Sequence, residues 1–137
     1  LFEDAARGHL VRPGWIEREH GHPIPQVWAA DRWWSRMRGL LARPALAKDG
    51  SQAMWITPCA SVHTFGMRYA LDVVYLDRNG AVVGLREHLR PWRVSACVQA
   101  AVAVEFHTGA LAHLRPQRGE RWQWRCAQDT AANGART

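Results

Sequence analysis

The stretch from His63 to Asp77, continued by Arg78-Asn79-Gly80, constrains the fold more than any other part of this chain. It runs from a polar, sharply turned loop into a strand and then into a hairpin turn. Val73 to Leu76 has the β-branched and aromatic content of a strand buried on both faces. Asn79-Gly80 is a strong hairpin signal, because both residues accept the positive φ that a tight primed turn requires.

Shorter strands are expected on either side. His9–Arg12 and Trp15–Arg18 read as strand material around a Pro13-Gly14 turn, and the prolines and glycine of residues 19–25 make a loop. Gln26–Ala29 reads as the returning strand. Gln52–Thr57 alternates weakly and is stopped by Pro58. Ala81–His88 partners the hairpin, and 89–93 breaks it. Residues 100–106 alternate small and large side chains, which suits a strand, although their alanines also permit a helix. After a turn at 107–109, residues 110–114 can form one helical turn, and Glu120–Arg125 alternates as a last strand.

One helix is expected after Asp31, whose carboxylate can cap the free amides of a first turn. At 100° per residue Trp33, Trp34, Met37, Leu40 and Leu41 share a stripe, with Arg32, Ser35, Arg36 and Gly39 opposite. Pro44 ends it. Trp33, Arg36, Met37, Gly39 and Leu40 are therefore expected to be structural, with Arg36 and Arg43 tying the helix to a loop or carboxylate rather than binding an anion.

At 137 residues the chain has the size of one domain. Residues 1–8 read as a frayed leader, 9–126 as a single β-rich domain and 127–137 as a disordered tail. Hydrophobic content of 47% and charged content of 22% exclude a disordered chain, and no apolar run spans a bilayer. The net charge of +6 comes from 17 Arg and a single Lys, with acidic residues interspersed and no basic run of five. Arg121, Trp122, Trp124 and Arg125 could stack and pair with single-stranded nucleic acid. Their alternation favours the plainer reading, an amphipathic terminal strand with its indoles in the core, so nucleic acid is not the expected partner. Cys59, Cys97 and Cys126 are an odd set without paired spacing, which fits reduced thiols in a cytoplasmic protein. No signal peptide is visible, and the chain does not begin with Met, which leaves room for an upstream segment.

The motif string resembles a widespread prokaryotic family, the domain of unknown function 192. That family reads approximately as His-Thr-Phe-Gly-Met, a short link, Leu-Asp-Val-Val-Phe-Leu-Asp, a Gly turn and Val-Val. The resemblance covers roughly residues 26–125 and includes Arg36-Met37-Arg38-Gly39-Leu40, Pro91, Glu105 and Gly109 in the family's order. It implies a β-rich α+β fold, a curled or barrel-like mixed sheet of short strands with one main helix packed on it. The strand count and the helix stripe imply the same architecture. Members with a Trp-Met-Lys-Asn type loop form another branch, and this chain resembles the His-Thr branch.

The chemistry these residues could support is limited. His63 beside Thr64, with Asp72 near the start of the next strand, is a candidate general base and carboxylate for a hydrolase. Ser61 completes a Ser-His-Asp set by composition only, since no Gly-x-Ser-x-Gly elbow surrounds it. Cys59, His63, Cys97, His107 and the His20/His22 pair could ligate a metal, but none has a recognised spacing, so no metal and no cofactor are expected. The resemblance places the His63 loop, Asp72, Pro91-Trp92-Arg93 and Glu105 at corresponding motif positions. If the barrel joins them they form a polar patch for a small ligand or peptide. The alternative stands beside it: Asp72 and Glu105 cap strand-end amides and Trp92 is a plug. The leading expectation is a monomeric, non-enzymatic module binding a small ligand or protein through His63, Thr64, Met67, Asp72, Trp92, Arg93 and Glu105.

Overall fold

The computed structural model describes residues 11–30 and 45–134. In chain order these form β1 (Val11–Arg18), β2 (Ile24–Ala30), β3 (Gln52–Ile56), β4 (Ser61–His63), β5 (Leu71–Leu76), β6 (Val82–Leu89), β7 (Val94–Ala96), β8 (Val102–His107), α1 (Ala110–Leu114), β9 (Trp122–Arg125) and α2 (Ala127–Gly134). Seven strands make one mixed sheet in the order β6-β5-β8-β3-β2-β1-β9, in which only β2 and β3 run parallel. The sheet curls into a half-barrel. Its outer strands meet at one end through an Ala81–Arg121 bridge, with Trp122 N–H donating to the Gly80 carbonyl at 2.9 Å and Val82 N–H to Glu120 at 2.9 Å. β4 and β7 form a separate two-stranded flap.

Side-chain alternation gives the sheet two faces. Val74, Leu76, Val104 and Phe106 pack with Ile16, Val82, Trp122 and the α1 residues Ala110 and Leu111. Leu71, Val73, Tyr75 and Ala103 turn the other way, towards Val62 of the flap and Met67. β5 and β8 are buried along their whole length because apolar layers cover both faces, as the Val73–Leu76 composition implies. The α+β, β-rich, curled sheet expected from the sequence is therefore the observed one. The helix expected over residues 31–44, with Trp33, Arg36, Met37, Gly39 and Leu40, lies outside the described residues.

Several local expectations are corrected. β1 runs unbroken through Pro13-Gly14, with a register shift between Gly14 and Ile16, so the sequence's turn is an irregularity inside a strand. The hairpin turn is not the primed type. Gly80 alone has positive φ (85°), Gly80 N–H donates to Asp77 at 3.0 Å, and the Asp77 carboxylate accepts from Asn79 and Ala81 N–H. That is a turn closed by a left-handed glycine, with the Asp side chain replacing the second positive-φ residue. The C-terminal stretch is helical over Ala127–Gly134. Its alanines favour helix, and the Asp129 carboxylate accepts from Cys126 N–H at 3.3 Å at the helix start.

Candidate functional site

His63 ends β4 rather than lying in a loop. Its ladder partner is Val94 of β7, while the next pair inwards, Val62 and Ser95, faces the core. Ser95 Oγ accepts from the Tyr75 hydroxyl at 2.8 Å, which pins the flap to the sheet. Burial pushes the Tyr75 phenol above its ordinary pKa of 10.0, an effect that the Ser95 hydrogen bond opposes.

Thr64 joins the two loops that leave the flap. Its hydroxyl donates to the Arg90 carbonyl at 2.6 Å and accepts from Arg93 N–H at 3.0 Å. Its backbone donates to Arg93 at 2.9 Å and accepts from Trp92 N–H and Met67 N–H, both at 3.1 Å. Thr64 is fully buried, and Met67 beneath it belongs to the core. This clamp holds Trp92 at φ 63°, a left-handed conformation rarely taken by a bulky side chain. Above it the rings form a stack: His63 on Phe65 with centroids 4.9 Å apart, and Phe65 on Trp92 at 5.8 Å and 25° between planes. Phe65 is 43% and Trp92 65% exposed, so Trp92 is a ledge rather than a plug. Arg68, Arg90 and Arg93, in the same two loops, are exposed.

Asp72 and Glu105 stand apart. Asp72 is paired with Phe106 in the β5–β8 ladder, and Glu105 with Val73, so their side chains leave opposite faces of the sheet. Asp72 Oδ1 accepts from His88 N–H (2.9 Å) and the Thr108 hydroxyl (3.2 Å), and Oδ2 from Gly109 and Leu111 N–H (both 3.1 Å). It caps α1 from a neighbouring strand and holds the irregularity at the end of β6. None of these hydrogen bonds goes to His63. Ser61 sits on the outer face of β4, so Ser61, His63 and Asp72 do not assemble as a triad. Glu105 is fully buried on the flap side, opposite Met54 of β3.

Trp122 is buried, the Trp124 indole N–H donates to the Val27 carbonyl at 3.0 Å, and Arg125 pairs with Glu17 at 3.1 Å. The C-terminal strand therefore has its indoles turned inward. Cys59 and Cys97 are half-buried and Cys126 is buried. Among the described residues no group of three or more His, Cys, Asp or Glu is arranged to hold a metal ion. No helix among them is long and apolar enough to cross a membrane.

Sequence reasoning passed over Phe65 and Val94 as surface residues. The signal for Phe65 was Gly66, whose φ of 79° turns the chain and projects the preceding ring outward. Val94 had no such signal, because a three-residue strand is too short for alternation to show which face it exposes.

Comparisons with known proteins agree with this fold. A UPF0127 protein of Pyrococcus furiosus is 33% identical over 105 residues, covering 72% of this chain and 86% of that one. A crystal structure of a protein of unknown function from Novosphingobium aromaticivorans superposes with a TM-score of 0.68 at 18% identity, covering 85% of this chain and 87% of the other. A Sinorhizobium meliloti structure, provisionally described as a transcription regulator, superposes at 0.71 with 16% identity, covering 84% and 95%. At such identities these structures speak for the fold alone. The family described as Uncharacterized ACR, COG1430, matches residues 15–124, the span from β1 to β9 that builds the half-barrel and its flap. With that match over most of its length, the chain belongs to the domain of unknown function 192 family.

Proposed function

We propose that this protein is a non-enzymatic binding module that takes an acidic protein segment on the outer face of the β4–β7 flap. One observation carries the reading. Phe65 (43%), Trp92 (65%), Val94 (61%) and Val98 (99%), the exposed large hydrophobic residues among those described, all belong to the flap and its adjoining loops. Phe65 and Trp92 stack on each other there, and exposed apolar groups gathered on one element of a small domain suit an interaction surface. The left-handed Trp92 adds to this, since backbone strain of about 1–3 kcal/mol persists only where the surroundings over-determine it, and such strain clusters at binding sites.

The aliphatic members favour a protein over a nucleic acid, because Val94 and Val98 offer nothing to a base. The exposed guanidinium groups of Arg68, Arg90 and Arg93 favour carboxylates beside the apolar anchor. Thr64 and Met67 support the ledge from beneath, and Asp72 supports it at one remove by fixing His88, just before Arg90. A hydrolase reading draws no support from Asp72, whose oxygens are committed to the hydrogen bonds above.

Selection of a random displayed peptide library on the immobilised protein tests this. The expected winners combine an aromatic or aliphatic residue with flanking Asp or Glu, and lose about tenfold or more in affinity on Phe65→Ala/Trp92→Ala. Winners that bind the double variant equally well would contradict the reading. So would preferential binding of single-stranded oligonucleotides to the same face.

A further inference from the structure

A second concavity lies elsewhere on the molecule and is independent of the flap. Where the half-barrel closes, the hairpin turn at Asp77–Gly80 stands across from the ends of β1 and β9. Between them is a cleft of about 940 Å³, within the range of small-molecule sites. Three indoles line it, and two are already occupied. Trp122 donates its N–H to Glu120 and has the Arg18 guanidinium 5.2 Å over its ring. Trp124 donates to Val27 and has Arg12 at 5.0 Å. Trp55 is half-buried against the core and, among the described residues, has neither a hydrogen bond for its N–H nor a cation over its face.

The polar lining divides in the same way. Arg18 is locked to Glu120 at 3.0 Å, Glu17 to Arg125 at 3.1 Å, and Glu19 accepts from Arg121 N–H at 3.0 Å. Among the described residues the side chains of Arg78, Asn79 and Arg121 make no hydrogen bond or ion pair, and they stand exposed at the rim. Across the whole lining the carboxylates of Glu17, Glu19 and Asp77 match the guanidinium groups of Arg18, Arg78 and Arg121. An anionic ligand would meet no net positive field, and a purely apolar one would strip water from the rim.

We infer that this cleft binds a neutral, hydroxyl-rich ring, a mono- or oligosaccharide. The slightly positive C–H face of a pyranose suits the negative face of the Trp55 indole. Its hydroxyls can accept from Arg78, Asn79 and Arg121 and donate to the carboxylates across the mouth.

The test is NMR of the full chain with 15N-labelled tryptophan, titrated with glucose, galactose, N-acetylglucosamine, maltose and chitobiose, and with glucose 6-phosphate and ATP as anionic probes. The Trp55 indole signal, assigned with Trp55→Phe, should move saturably with at least one neutral sugar. Arg78→Ala and Arg121→Ala, both at exposed side chains, should each weaken that response about tenfold. Phe65→Ala/Trp92→Ala should leave it unchanged, which separates this site from the flap. No movement with any neutral sugar at tens of millimolar would overturn the inference, as would a stronger response to the anions.

Discussion

A carboxylate as deeply buried as that of Asp72 must have its charge met by donors, and three backbone amides and a hydroxyl meet it. Replacing one oxygen by an amide nitrogen, as in Asp72→Asn, turns a donor towards donors. The expected loss is about 3 kcal/mol in urea unfolding. Thr64 is the second residue on which much depends. Thr64→Val keeps the shape but orphans Arg93 N–H and the Arg90 carbonyl, so unfolding experiments should show a loss of about 1–3 kcal/mol. Thr64→Ser keeps both hydrogen bonds and should cost only about 1 kcal/mol for the missing methyl. Tyr75 supplies a pH dependence. Its native phenol holds a proton that the unfolded chain releases near pH 10.0, so its contribution is intact below that pH and is lost as pH rises past it. Spectrophotometric titration near 295 nm should show one late-ionising tyrosine in the native protein that is absent from Tyr75→Phe.

At the scale of elements, legibility followed length and punctuation. β5 announced itself as a continuous apolar run, β9 by alternating indoles with polar residues, and α1 by a short apolar turn after Gly109. β4 and β7 did not, because three residues carry no periodicity, and the flap exists only through pairing across a long loop. The separation of Asp72 from Glu105 was unreadable for a related reason. They lie on neighbouring strands, and a change of one residue in register would reverse whether they share a face. The His63–Trp92 juxtaposition also depends on long-range contacts, although each residue stood out in the sequence. The hairpin was legible as a hairpin, while its turn type depended on a side chain, Asp77, doing what a second left-handed residue would otherwise do. Gly80 has a further duty there. A Cβ at this position would lie 2.5 Å from the Trp122 carbonyl, in a backbone conformation of positive φ. Gly80→Ala should therefore cost about 1–3 kcal/mol, measured by thermal or urea unfolding, by prising β6 from β9.

Across the whole molecule, one curled sheet serves two surfaces with different physical character. The flap face carries exposed aromatic and aliphatic groups, with exposed arginines in the adjoining loops. The closed end of the half-barrel carries a mixed-charge cleft with a single unoccupied indole. On the proposed reading, the Phe65–Trp92 stack exists for a partner and not for the fold. The direct measurement is the unfolding free energy of Phe65→Ser/Trp92→Ser beside wild type in urea. Surface residues away from core contacts change stability by about 0.5 kcal/mol or less, so the double variant should fall within about 1 kcal/mol of wild type, with an unchanged m-value. A loss of about 3 kcal/mol or more would show that the rings belong to the core, as plugs over Met67 and Val62, and would contradict the claim.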